Sequence, residues 1–358
     1  MRKRSVGVEE EFLVFDAHAP RLLDIGPEVV AKAERDGADE AQFEKELKRA
    51  QAELASAPAD ELAELEQDLR GRRAELVAAA GKRGARLVAS GTCPVRGTTQ
   101  TTEDTRYRQM AHRFAAIERR QLVCAMHVHV DVDSADEGVA ILNGVAPWLA
   151  VLLALSSNSP YAQGEDTGYA SFRHVVWDTW PTAGVTAAFA DAADYERTVQ
   201  QLIDTGAARD RGMIYFDARL SANYPTVEVR VCDVCPDVED AVLIAGLCRG
   251  LVAAAGAEEQ PPSVRPELLR AASWRAARFG MSGDLVDLRG EPRLVPAWDL
   301  VDDFLEVIGD ALDAHGDSGR TRTGLARLKE CGTGAQRQRD AATDKTIDQV
   351  LDAVTVRG

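Results

Sequence analysis

Positive charge is what this chain is short of. Its 42 lysines and arginines face 58 aspartates and glutamates, a formal net charge of −16. That balance excludes broad electrostatic attraction to nucleic acid or to an anionic membrane, and any phosphate bound must meet local cations. Cysteine is sparse as well. Six of them among 358 residues, at positions 93, 124, 232, 235, 248 and 331, are too irregular for a disulfide framework and point to the reducing cytoplasm. CDVC at 232–235 has metal-site spacing, but no second cysteine pair or nearby histidine completes a zinc site. It reads instead as punctuation between a strand and a helix, with Pro236 suited to a first helical position. Long apolar runs are nearly missing. The opening MRKRSVGVEEEF passes from basic residues straight to acidic ones, so no secretory signal is expected. Residues 138–159 are uncharged, but Asn143, Gly144 and Pro147 interrupt them, and they read as a buried core helix rather than a membrane span. Neither GxxxxGK[ST] nor GxGxxG occurs, so neither a P-loop nor a dinucleotide fold is indicated.

What the chain does have is a 45% hydrophobic composition, ample for a large core, and three strands that each carry chemistry on one face. The first is VGVEEEFLVFD at 6–16. Side chains alternate along a strand, so Glu9 and Glu11 share a face while Glu10 joins Val8, Phe12 and Val14 on the other, where an arginine would be a suitable partner. Adjacent buried carboxylates repel unless a cation neutralises them, so these acids either bind metal or sit at a solvated strand end. The second strand is AMHVHVDV at 125–132. Met126, Val128, Val130 and Val132 face one way; His127, His129 and Asp131 face the other. The third is YPTVEVRVCD at 224–233, with valines on one face and Thr226, Glu228, Arg230 and Cys232 on the other. Glu228 and Arg230 form either a structural ion pair or part of a site. Recurrence of the pattern on three strands favours the site.

Between these strands lie elements of less certain purpose. A helix is expected over 60–84, capped by Asp60 and ended by Gly84, with a short strand at 85–89 after it. Residues 42–58 carry Glu46 and Glu53 in a segment whose local structure is undetermined. Residues 90–108 read as a long loop, and helices are expected near 192–207, 236–255, 262–279 and 299–315. Residues 156–184, with Arg173, Trp177 and Trp180, either line a small-molecule site or form a surface excursion. Near the C-terminal end, CGTGAQRQR places glycines beside Arg337 and Arg339, which either contact phosphates or end a turn. Clustered carboxylates with imidazole suit magnesium or manganese, and arginines beside them suit a phosphoryl group.

Seven collinear segments carry a resemblance: GVEEEF, QAELASAP, HVHV, SPYAQGEDTGYASFRHVVWDTWPTAG, YPTVEVRVCDVCPDVEDAV, WRAARFGMSGDLVD and GTGAQRQR. Together they resemble the bacterial carboxylate–amine ligases, also called type 2 glutamate–cysteine ligases, over nearly the whole chain. The resemblance implies one catalytic domain over 1–358 with an α+β fold similar to the catalytic domain of glutamine synthetase. In that fold a curved antiparallel sheet forms a funnel or half-barrel with helices packed outside. It further implies ATP, Mg2+ or Mn2+, a carboxylate substrate such as glutamate, an amine substrate, and an amide formed through an acyl phosphate. Family members are often homodimers. Carried over by residue, Glu9, Glu11, Glu46, Glu53, His127 and Glu228 would hold metal, with His129 and Asp131 as additional candidates. Arg230 would meet the phosphates, joined by Arg337 and Arg339, and Arg173 would meet a substrate carboxylate. The chain departs from the pattern at Asp131, where glycine is usual, and at Ser56, where threonine is common. Two other readings remain open: a guanidine or amine phosphotransferase on a similar fold, and a non-catalytic nucleotide or amino-acid sensor.

Overall fold

The computed structural model describes residues 2–36, 43–257, 263–342 and 347–357. Its centre is the opening strand β1 (Val6–Asp16). One edge of β1 pairs with β3 (Gln51–Ala55), which pairs in turn with β2 (Phe43–Lys45). The other edge takes β5 (Met126–Asp131) along its first half and β4 (Ala85–Val88) along its second. Beyond β5 lie β9 (Thr226–Val229) and β8 (Ala218–Leu220). All seven strands are antiparallel to their neighbours, in the order β2-β3-β1-β5-β9-β8 with β4 beside β1. The two short hairpins β6–β7 (Tyr161–Ala162, Glu165–Asp166) and β10–β11 (Asp284–Asp287, Arg293–Pro296) stand apart.

Alternation decides which side of this sheet is dry. Val6, Val8, Phe12, Val14, Leu54, Val128, Val130, Val227 and Val229 are all buried in one hydrophobic core, against the helices Leu62–Gly81 and Val238–Ala255. Glu10 lies on this face, fully buried. Its partner is Arg73 of the helix Leu62–Gly81, whose Nε donates to Glu10 Oε2 at 2.8 Å and whose other nitrogens reach the carbonyls of Cys235 and Pro236, both at 2.9 Å. The expected division of the three glutamates, with Glu10 directed to an arginine, is therefore the observed one.

Residues 135–156 form a helical run long and apolar enough to cross a membrane, yet 72% of its most apolar window is buried inside the protein. It is a core helix, tightened to a single 3-10 turn at Ala146–Trp148, where Pro147 lacks an amide donor. Several boundaries differ from expectation. The helix expected over 60–84 runs Leu62–Gly81 with Glu61, not Asp60, at its N-cap and no side-chain cap. Gly84, at φ 68°, turns the chain into β4. The loop after β4 ends earlier than expected, because the Asp104 carboxylate accepts from Arg106 N at 2.6 Å and starts the helix Thr105–Phe114. The undetermined 42–58 segment supplies β2 and β3, with residue 42 itself outside the described residues. Cys232 and Cys235 are buried free thiols, and Asp237 rather than Pro236 occupies the boundary of the helix that follows.

Candidate active site

Residues directly opposed on antiparallel strands project from the same face, so the register itself assembles a site. Glu9 lies opposite Ala55 and His127, Glu11 opposite Glu53, and Glu53 opposite Glu44. His129 lies opposite Glu228, Glu228 opposite Arg219, and Asp131 opposite Thr226. Every one of these side chains falls on the face away from the core. Apart from Glu228, which is buried, they floor a cleft of about 740 Å³, whose walls include Gln51, Arg106, Tyr107, Trp177, Trp180, Tyr215, Tyr224 and Arg230.

One half of this floor is charge-compensated. Arg219 donates from Nε to Glu228 Oε2 at 2.7 Å and from Nη2 to Oε1 at 3.2 Å, and Arg230 also pairs with Glu228. Burial opposes ionisation of Glu228, but Arg230 and Arg219 overcome it and hold the carboxyl far below the usual range. Glu9 is flanked by His127 Nδ1 at 3.2 Å and His129 Nε2 at 3.3 Å. Burial again works against the charged form, yet hydrogen bonds from the two histidines keep Glu9 well below its ordinary value. The histidines themselves diverge. Burial and the Arg230 charge push His127 down to about 4, whereas for His129 Glu9 and Glu228 outweigh burial and raise it. Arg230 is held over Trp177 and Tyr215, each ring centroid 5.9 Å from its guanidinium carbon.

The other half is predominantly acidic. Burial and then the neighbouring Glu46 raise Glu11 to about 8, even though Ala125 N donates to Glu11 Oε2 at 2.9 Å. Glu53 is pushed well above its ordinary value by burial and by Glu46 and Glu9, and Glu44 is raised by burial and Glu9. Like charges gathered on one face of a cleft resist ionising together. Arg173 and Arg230 offset the Glu11 charge only in part, and a set of oxygen donors of this kind is chemistry suited to a hard divalent cation. A second grouping straddles the compensated half, where Glu9, His129 and Glu228 offer ligand atoms within 4.8 Å of one another. There a cation would compete with Arg219 and Arg230 for the Glu228 oxygens, which leaves Glu9 and His129 the freer donors.

With this geometry in view, the sequence profile described as glutamate–cysteine ligase family 2 (GCS2) matches residues 5–352. The chain belongs to that family. It is 48% identical to the Frankia alni protein named "Putative glutamate--cysteine ligase 2-2", across 98% of this chain and 96% of that one. It is 42% identical to the Streptomyces coelicolor "Putative glutamate--cysteine ligase 2" across 94% of each. Its fold is similar to that of the Francisella tularensis glutamate–cysteine ligase solved in complex with AMP, with a TM-score of 0.71 over 99% of this chain and 88% of that one. Sequence identity there is 12%, so the likeness is one of fold. The expected α+β fold, an antiparallel sheet short of a closed barrel with helices packed against it, is the one found.

In this glutamate–cysteine ligase family 2 chain, Glu9, Glu11, Glu46, Glu53, His127, His129, Asp131 and Arg230 all line the cleft, with Glu228 buried directly beneath. Three of the expected arginines do not line it. Arg173 is fully buried and donates to the carbonyls of Arg230 at 3.1 Å and Val231 at 3.3 Å, close to Asp233. Its two Nη atoms are taken by these carbonyls, which braces the Arg230–Val231 backbone, while its Nε is buried without a hydrogen-bond partner. Arg337 is tied to Asp237 and Asp240, on the helix side of the sheet. Arg339 is tied to Asp166 at 2.8 Å and to the Tyr169 carbonyl at 2.9 Å. Both belong to structural ion pairs. Of the residues that sequence reasoning missed, Arg219 matters most. It lies on a three-residue strand too short to show periodicity, and only the β8–β9 register reveals it. Glu44 could have been found from Glu46, since the two share parity. Of the two readings left open for residues 156–184, Trp177 and Trp180 follow the first and line the cleft.

Proposed function

We propose that this chain joins a small-molecule carboxylate to an amine at the expense of ATP, through an acyl phosphate, releasing ADP and phosphate. The observation that carries the reading is one sheet face divided into a carboxylate-rich half and an arginine–histidine half within a single cleft. Glu11, Glu46 and Glu53, with Glu44 beside them, are suited to hold Mg2+ or Mn2+, and Glu9 with His129 to hold another. When bound, such ions neutralise phosphate charge and polarise the transferred phosphoryl group. Arg230, aimed by Glu228 and braced by Trp177 and Tyr215, offers a fixed positive charge to the phosphoryl oxygens or to the activated carboxylate, and Arg219 extends that surface. A preorganised cation of this kind does not have to reorient as charge develops, which is where most of its benefit arises. No protein nucleophile is required, because the substrate carboxylate attacks the phosphorus and the amine then displaces phosphate. His127 is kept neutral near pH 7 by burial and Arg230, so it can hydrogen-bond Glu9 without adding charge to this half of the cleft. A glutamate carboxylate as acid and a cytoplasmic setting fit the same reading.

The test is ADP release with magnesium across a panel of acids and amines, with products identified by mass spectrometry. Stoichiometric amide and ADP are expected for at least one pair. ADP formed with a phosphorylated amine and no amide would overturn the reading in favour of phosphotransfer.

A further inference from the structure

Beyond His129 the cleft floor continues to a residue that belongs to neither charged half. Asp131 faces the cleft from β5, with Ser5, Asn223, Tyr224 and Thr226 as uncharged lining neighbours. Its backbone is pinned, since the carbonyl accepts from Arg4 Nη1 at 2.7 Å and the amide donates to Ser5 O at 3.3 Å. Oδ2 pairs with Arg2, but that one guanidinium also serves Asp133 at 3.0 Å. Oδ1 is buried and accepts no hydrogen bond. A buried carboxylate oxygen without a donor is costly, and such a group held on a fixed strand is suited to a donor brought by a ligand. Tyr224 adds a second element: 62% exposed at the rim, its ring lies 6.2 Å from that of His129 and presents an aromatic surface beside the acid. Carboxylate and aromatic ring together are the chemistry that recognises an organic cation.

We propose that Asp131 selects the amine substrate by receiving a second, cationic group carried by it. The preferred acceptor is then a diamine-like compound, not an α-amino acid whose carboxylate would be repelled by Asp131. This inference rests on the ligase reading. It divides the cleft by charge, with anionic groups stabilised at Arg219 and Arg230 and the distal cation of the amine at Asp131.

The experiment compares 1,4-diaminobutane with cysteine as amines, using glutamate as the acid, in the full-length wild type and in Asp131→Asn and Asp131→Gly. In the wild type kcat/KM favours the diamine. Asp131→Asn lowers the diamine-to-cysteine ratio by at least ~10-fold, mainly through KM for the diamine, as expected for a lost charge-assisted hydrogen bond. An unchanged ratio, or a wild type that prefers cysteine, overturns the proposal. Calorimetric titration of 1,4-diaminobutane, which needs no turnover, separates the two readings. Binding weakened at least ~10-fold by Asp131→Asn but with no amide formed from any acid would sink the ligase reading and leave the cation subsite standing. No diamine binding to the wild type would sink the subsite alone.

Discussion

At the scale of single residues, the proposed role of the acidic half as a metal site predicts a measurable coupling between protonation and metal binding. Glu11 holds its proton in the folded state up to about pH 8, whereas its ordinary value is 4.5. Between those values the folded state binds the extra proton, so stability of the metal-free protein falls as pH rises, and the loss is complete above 8. His127 acts in the opposite sense, because its value near 4 lies below the ordinary 6.5, but that contribution is already fully present above 6.5. The window from 6.5 to 8 therefore isolates the acids, with the raised His129 adding in the same direction. Metal-free protein is expected to lose melting temperature across this window. The stabilisation given by added magnesium should grow across it, because the ion displaces the proton. Melting curves at several pH values with and without magnesium check this, and a flat magnesium effect would remove Glu11 from the cation site. Glu53→Gln is the complementary change. It removes one of the mutually repelling acids, so metal-free protein at pH 8 should melt no lower than wild type. The magnesium-induced shift should shrink, and turnover should fall by at least ~100-fold, the scale for losing a preorganised charge contact. A variant that kept both the shift and the turnover would exclude Glu53 as a ligand.

At the scale of elements, β1 carries the site on one face and anchors the sheet to its helices on the other. The Glu10–Arg73 pair is completely buried, and Arg73 also satisfies the two carbonyls that lead into the helix Val238–Ala255. Removing one partner leaves an uncompensated buried charge. Arg73→Ala is thus expected to destabilise by about 3–5 kcal/mol, whereas Glu10→Leu with Arg73→Met should recover much of that loss. Denaturant unfolding measures both, and a single-variant cost below about 1 kcal/mol would show that the pair is dispensable. The division of Glu9 and Glu11 from Glu10 was legible in the sequence because strand parity depends on nothing beyond the strand. The identity of Arg73 was not, because it depends on how a helix packs from far along the chain. Parity also exposed His127, His129, Glu228 and Arg230. The surroundings of Arg173 were not legible, because an arginine in a polar loop has the same appearance whether it meets a ligand or backbone carbonyls. The surroundings of Arg337 and Arg339 were hidden in the same way, their acidic partners being about a hundred or more residues distant in sequence. Arg219 was invisible, since its role comes from register against Glu228 and from nothing within ARL itself.

At the scale of the whole molecule, a chain of net charge −16 is asked to take up an anionic nucleotide. Exposed charges act over roughly 10 Å at 0.1 M salt and over about 30 Å at 0.01 M, so at low salt the approaching nucleotide meets the field of the whole surface. That field is repulsive. Once inside, it meets Arg230 and Arg219, which are buried or nearly so and whose interactions salt screens far less. Screening should accordingly remove the long-range penalty more than the short-range gain. With free magnesium held saturating, KM for ATP is expected to fall about twofold as salt rises from roughly 0.01 to 0.1 M, with kcat little changed, because the same approach field governs encounter rather than chemistry. Initial rates over an ATP series at several salt concentrations provide the measurement. A KM that rises steeply instead would mean that the cleft arginines, not the overall acidity, dominate the field that the nucleotide experiences on approach, and that the acidic half is already neutralised by its cations before ATP arrives.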